Sequence, residues 1–231
     1  MPETLPWDRV GPQFKKDRKR AGILIDLRRC VGCHACSVSC KTEHEVPLGG
    51  FRMRVRYLER PEADRSTIAF TPLICMHCQD APCLNACPSN AIVRGEDGRV
   101  VVDEGKCDLE QECVTACPYG AIFINEEKQV AEKCDLCQHR TDVGLDPACV
   151  SSCPSEALQF GDFDDPEDPV TKIAAATGAK GWKEDEGTKP SVLYVDHEPW
   201  MEEKANGGVQ LSDADEDIIY EQNNLKRKEQ A

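Results

Sequence analysis

The chain has 231 residues, a formal net charge of −14 and 15 cysteines. The acidic balance argues against a nucleic-acid binder, and the longest strongly apolar run, Ala21 to Ile25, is far too short to span a membrane. An odd cysteine count cannot be consumed by internal disulfides, and dense clustering in a chain of this length is the pattern of metal-bound thiolate rather than of a disulfide-stapled small domain.

Read in order, the basic stretch "KKDRKR" has no apolar segment behind it, so no secretory signal peptide is expected. "DRKRAG" likewise lacks the context of a twin-arginine signal. "GILIDL" (22–27) reads as a short strand leading into "CVGCHACSVSC", where Cys30, Cys33, Cys36 and Cys40 are separated by two, two and three residues. "AFTPLI" (69–74) is a second strand. It leads into "CMHCQDAPCLNACP", with Cys75, Cys78, Cys83 and Cys87 at intervals of two, four and three.

"AIVRGEDGRVVVD" (91–103) reads as a hairpin turning at Gly95 to Gly98. "CDLEQECVTACP" follows with Cys107, Cys113 and Cys117, and taking Glu110 as a ligand position restores the intervals two, two and three. "AIFINEEKQVAE" (121–132) is a second hairpin. The last group, "CDLCQHRTDVGLDPACVSSCP", places Cys134, Cys137, Cys149 and Cys153 at intervals of two, eleven and three, and "ALQFGDF" (157–163) is the strand after it. Beyond residue 163, "TKIAAATGAKGW" predicts a short helix ended by glycine, "TKPSVLYV" an extended segment, and "DEDIIYEQNNLKRKEQA" a short amphipathic stretch. The acidic runs "GDFDDPEDP", "KEDEG" and "SDADED" fit a solvated, loop-rich tail without a core of its own, expected to lie on a partner.

The run C-x2-C-x2-C-x3-C-P is the bacterial ferredoxin signature for a [4Fe–4S] cluster. Three cysteines in a tight loop aim three sulfurs at one cluster. The fourth, expected to begin a helix leaving the loop, points away to serve another, so ligand groups work in pairs. The repeats "CPSNAI", "CPYGAI" and "CPSEAL" share C-P-x-x-A-[IL]. Only the first group departs, with Lys41 after Cys40. Structural zinc uses separated C-x2-C pairs with four ligands per ion, and the close spacing of the first three groups suits a cubane better. His34 and His77 lie inside ligand groups and read as packing or supporting residues, because the cysteines already fill the ligand positions. His44, His139 and His197 carry no pattern.

Strand, ligand loop, short helix and hairpin, twice over, predict an α+β fold of two interleaved ferredoxin-like units in a pseudo-twofold relation. The inner unit is 68–125. The outer one is discontinuous, 20–67 plus 126–163, and an extended tail covers 164–231. With aromatics at 6% of the chain, the clusters are expected to substitute for much of the core and to couple folding to their insertion.

The order of the four groups, with "CMHCQDAPC", "CVTACPYGAI" and "TKPSVLYV", resembles the four-cluster iron–sulfur subunit of membrane-bound molybdoenzymes over roughly residues 20–195. That family serves dimethyl sulfoxide, polysulfide, thiosulfate, tetrathionate, arsenate and nitrate reductases, and the short inter-group segments resemble the dimethyl sulfoxide and polysulfide type.

The resemblance implies four ligand sets. Cys30, Cys33 and Cys36 join Cys153 on the first cluster. Cys40 joins Cys134, Cys137 and Cys149 on the second. Cys75, Cys78 and Cys83 join Cys117 on the third. Cys87, Cys107 and Cys113 remain for the fourth, with Glu110 at the open corner. It implies three [4Fe–4S] clusters and one [3Fe–4S] cluster, or a fourth [4Fe–4S] if the Glu110 carboxylate holds iron.

It also implies a non-catalytic electron relay between a molybdopterin-containing catalytic subunit and a quinone-reactive membrane anchor. Membrane association would then be through partners, on the cytoplasmic or the exported side. No nucleotide-binding glycine fingerprint or nucleophile–base pair accompanies the cysteines. The alternative within electron transfer is a polyferredoxin subunit of a hydrogenase, formate dehydrogenase or carbon monoxide dehydrogenase system.

Overall fold

The computed structural model describes residues 18–61 and 64–207. β1 (Ala21–Asp26) is buried at every position. Strand alternation sends Ile23 and Ile25 to one face and Leu24 to the other. The first two join the large core that holds the cysteines, and Leu24 packs with Val170 and Val195 on the opposite side. Burial on both faces explains the unbroken apolar run. The strand lies in a four-stranded sheet of order β8 (Leu158–Asp162), β1, β10 (Val192–Val195), β9 (Lys180–Gly181). Ile25 stands opposite Leu158 on antiparallel β8, and Ile23 opposite Val192 on parallel β10.

β2 (Met53–Pro61) and β3 (Ser66–Ile74) form a long antiparallel hairpin. The sequence reading found only the second half of β3. "MRVRYLERP" does alternate, with Met53 and Val55 buried between Arg54 and Arg56, but the arginines on its outer face mask the strand. The two hairpins expected around the inner cysteines are present: β4 (Ile92–Arg94) with β5 (Val100–Val102), and β6 (Phe123–Asn125) with β7 (Val130–Glu132). Gly98, at φ +80°, closes the first by donating its N–H to the Gly95 carbonyl.

The short helices α1 (Ala35–Glu43), α2 (Pro82–Ala86), α3 (Glu112–Ala116) and α5 (Ala148–Ser151) each begin one residue before the third ligand position of a group, and α4 (Gln138–Thr141) follows Cys137. α1 packs on α5 and α2 on α3. The expectation that the fourth cysteine starts a helix is corrected: α2 and α3 end at Cys87 and Cys117, which are extended at ψ 110°. Pro88 and Pro118 follow, and a residue before proline is driven out of the helical region. Cys40 precedes Lys41 instead, and α1 runs on to Glu43.

The expected coreless tail over 164–231 is also corrected for its first part. α6 (Pro169–Thr177) starts at an Asp168 cap whose side chain accepts the Val170 N–H, has proline at its first turn and ends at Gly178 in the left-handed region. It packs against β8, β1 and β10. On β10, Val192 and Tyr194 enter the main core while Leu193 and Val195 face α6. The Tyr194 hydroxyl donates to the Pro72 carbonyl at 2.9 Å. The "TKPSVLYV" segment is therefore an inner strand, because its alternate residues are apolar on both faces. α7 (Pro199–Gly207) packs on β2. The amphipathic reading of 215–231 lies outside the described residues.

Limited proteolysis of the cluster-loaded chain is accordingly expected to retain residues up to Val195 in the resistant fragment. A stable core ending near residue 165 would contradict this placement of β10. Among the described residues, no helix is long and apolar enough to cross a membrane.

Candidate metal centres

The four cysteine loops share one backbone device. The second residue after the first cysteine is left-handed in each: Gly32 at φ +66°, His77 at +43°, Leu109 at +63° and Leu136 at +55°. Such values are uncommon outside glycine and persist where surrounding structure demands them. Here they wrap the chain so that sulfurs converge. His34 and Gln111 repeat the conformation at φ +60° and +61°. Cys33 thus stands between left-handed Gly32 and His34, and Glu110 between left-handed Leu109 and Gln111. Both Cys33 and Glu110 are exposed.

The C-P-x-x-A repeats have a matching explanation. Asn90, Gly120 and Glu156, three residues after Cys87, Cys117 and Cys153, are all left-handed and donate their N–H to the cysteine carbonyl at 3.2 Å. The next residue, Ala91, Ala121 or Ala157, then aims its N–H at the cysteine sulfur, at 3.3, 3.5 and 3.2 Å. These donors favour thiolate. At Cys87 and Cys153 burial opposes ionisation, but hydrogen bonds from Ser89 and Ser155 and from backbone N–H groups outweigh it and hold both thiols below the ordinary value. On the third group, Ala131 N–H points at Cys107 Sγ at 3.4 Å.

The buried thiols raise one another across the loops, and Cys36 also acts on Cys40 and Cys149, as Cys75 does on Cys134. Cys30 feels the charges of Cys153 and Cys33, and Cys36 those of Cys30 and Cys153. Cys40 feels Cys137, Cys134 feels Cys40 and Cys149, and Cys149 feels Cys40 and Cys137. Cys83 feels Cys75, Cys117 and Cys78. Cys113 feels Cys87 and Cys107. Burial first, then these like charges, pushes Cys36 up to about 11, Cys40 to about 12 and Cys83 to about 12. Burial also raises Cys134 and Cys149 well above the ordinary value.

Packed thiolates of one sign are unstable alone and suit a bound iron–sulfur group whose irons compensate the charge. Cys75, Cys78, Cys83 and Cys117 line one pocket together with Met76 and Ile122. Buried His77 accepts the Val100 N–H at Nδ1, 3.1 Å away, so its ring proton sits on Nε2, which has no partner among the described residues. The donor set and its surroundings fit iron–sulfur clusters.

His34 and His77 act as supports: His34 Nε2 meets the Tyr57 hydroxyl at 2.7 Å, and that hydroxyl donates to the Gly32 carbonyl at 2.6 Å. Two contributors gave no sequence signal. His44 reaches Cys137 Sγ at 3.1 Å. Lys133, 3% exposed, donates to the carbonyls of Cys134, at 3.0 Å, and of Val100, and its charge reaches Cys83 and Cys117.

A family model described as a 4Fe-4S dicluster domain matches residues 66–163. The chain is 43% identical over 182 residues to a tetrathionate reductase subunit of Salmonella typhimurium, covering 77% of this chain and 73% of that protein. It is 35% identical over 218 residues to a putative dimethyl sulfoxide reductase iron–sulfur subunit of Halobacterium salinarum (79% and 83% covered). It is 41% identical over 149 residues to the thiosulfate reductase electron transfer subunit of Salmonella typhi (63% and 77% covered). None of these three names points to the polyferredoxin alternative. With four cysteine loops of one backbone design and these relatives, the chain belongs to the family of iron–sulfur electron-transfer subunits of the molybdoenzyme reductases.

Proposed function

We propose that this chain relays single electrons through four iron–sulfur clusters between a molybdopterin-containing catalytic subunit and a quinone-reactive membrane anchor, and performs no catalysis itself. The observation that carries the reading is the one backbone design shared by the four cysteine loops, with a left-handed residue two places after the first cysteine of each. The proposed ligand sets are those the family resemblance implies: Cys30, Cys33, Cys36 and Cys153; Cys40, Cys134, Cys137 and Cys149; Cys75, Cys78, Cys83 and Cys117; and Cys87, Cys107 and Cys113 with Glu110 at the remaining corner. The packing of α1 on α5 and of α2 on α3 supports an outer unit from 20–67 and 126–163 around an inner unit at 68–125.

When bound, such clusters supply reversible one-electron storage. The chain's own part is to hold them and set their surroundings. Cysteines fix the positions, backbone N–H groups of Ala91, Ala121, Ala131 and Ala157 face the ligand sulfurs, and buried Lys133 places a cation near Cys83 and Cys117. The fourth set is proposed to hold [3Fe–4S], because exposed Glu110 replaces a thiolate. A catalytic partner is supported by the relatives, which are named as reductase subunits, and the quinone-reactive anchor is part of the proposal. In the intact complex, the visible absorbance lost on cluster reduction should recover to the oxidised spectrum when the catalytic subunit receives its substrate. The isolated reduced chain should stay reduced with the same substrate. Reoxidation by the isolated chain alone would assign catalysis to it and contradict the proposal.

A further inference from the structure

His44 lies outside every ligand motif, yet its Nε2 sits 3.1 Å from Cys137 Sγ and its Nδ1 2.9 Å from Arg52 Nη1. Arginine has donors only. Nδ1 therefore accepts, and the ring proton of the neutral imidazole is on Nε2, facing the sulfur. The other acceptor nearby, Asp135 Oδ1, is 3.6 Å from Nε2, too far for a hydrogen bond, and already accepts the Cys137 N–H at 2.8 Å.

Arg52 is itself fixed. Its Nε donates to Glu132 Oε1 at 2.7 Å and its Nη1 lies 3.2 Å from Asp135 Oδ2. Arg52 and Glu132 are 8% and 3% exposed, and Asn125 Nδ2 donates to the second Glu132 oxygen. Four side chains on separate segments thus lock one tautomer and one ring orientation.

His44, Asp135 and Cys137 also lie close enough to suggest three ligands of a single ion. Their commitments argue otherwise. The Asp135 carboxylate is taken by Arg52 and the Cys137 N–H, and His44 presents a proton, not a lone pair, to the sulfur.

We propose that His44 is a positioning residue of the second ligand set: held in its Nε2–H tautomer by Arg52, it donates a hydrogen bond to the Cys137 thiolate and raises the reduction potential of the cluster that Cys137 holds. A donor on a ligand sulfur draws off negative charge, which favours the more negative reduced state. Partners of this kind orient and tune metal ligands. The inference rests on the assignment of Cys137 to a cluster made above.

The test is a redox titration followed by electron paramagnetic resonance on the full, cluster-loaded chain, comparing wild type, His44→Ala and His44→Gln. His44→Ala should weaken reduction of one cluster about tenfold, about 59 mV for a one-electron couple, with the others unmoved. His44→Gln, which keeps an N–H donor, should restore most of the shift. Unchanged potentials in both variants, or equal shifts in both, would overturn the proposal. Pulsed resonance on wild-type protein carrying 15N-histidine should also show imidazole nitrogen coupled to a reduced cluster. Its absence would overturn the proposal even where a variant fails to load iron. Iron content of the wild-type sample reports separately on the cluster assignment, so the two readings fail by different measurements.

Discussion

Glu110→Cys is expected to convert the proposed [3Fe–4S] cluster of the fourth ligand set to [4Fe–4S] and to abolish the three-iron resonance signal that this proposal predicts for the oxidised protein. The backbone argues for this more closely than spacing alone. Left-handed residues flank Glu110 as they flank Cys33, and both side chains are exposed on their loops. A cysteine placed there has the position of a ligand without rebuilding the loop.

The change exchanges one exposed anionic side chain for another but binds a fourth iron through a strongly electron-donating thiolate. Cluster type is among the determinants of potential, so the potential should fall. Transfer to or from quinone should slow while reduction by an artificial dye persists. If Glu110 instead held iron through its carboxylate, wild type would lack the three-iron signal and Glu110→Ala would create it. Identical spectra for wild type and both variants would remove Glu110 from the ligand positions altogether.

Removing iron with a chelator under reducing conditions is expected to release the inner hairpins while the four-stranded sheet survives. β4, β5, β6 and β7 have three residues each and pair only in twos. Hairpins of that size are marginal in water without a further partner, and the partners here are the cysteine loops. The sheet of β8, β1, β10 and β9 has an apolar layer that needs no metal: Leu24 and Val195 pack against Val170 of α6. Hydrogen exchange should show opening free energies in β4 to β7 dropping from several kcal/mol toward ~0 while β1 and β10 stay protected. Uniform loss of protection, or none, would contradict this division of the structure.

Much of the site was legible in sequence because ligand spacing is local. Three or four cysteines within about a dozen residues have few ways to meet, and the Cys-Pro step sets the backbone of the ligand itself. The Gly95 to Gly98 turn and the apolar strands were legible for the same reason. What escaped depends on contacts between distant segments. β10 reads as a loose extended stretch until β1 lies beside it, some 170 residues earlier in the chain. His44, Arg52 and Lys133 look like surface polar residues until folding buries them against Cys137, Glu132 and Cys134. The direction of the short helices was misread because α2 and α3 close at Cys87 and Cys117, which the following prolines hold out of the helical region.

The central claim is that four ligand sets hold four clusters. Iron and acid-labile sulfide analysis of the intact, anaerobically purified chain tests it most directly. Three full cubanes and a three- or four-iron cluster predict about fifteen or sixteen irons per chain with about sixteen sulfides. A value near eight irons, or zinc in place of iron, would contradict the four-cluster account.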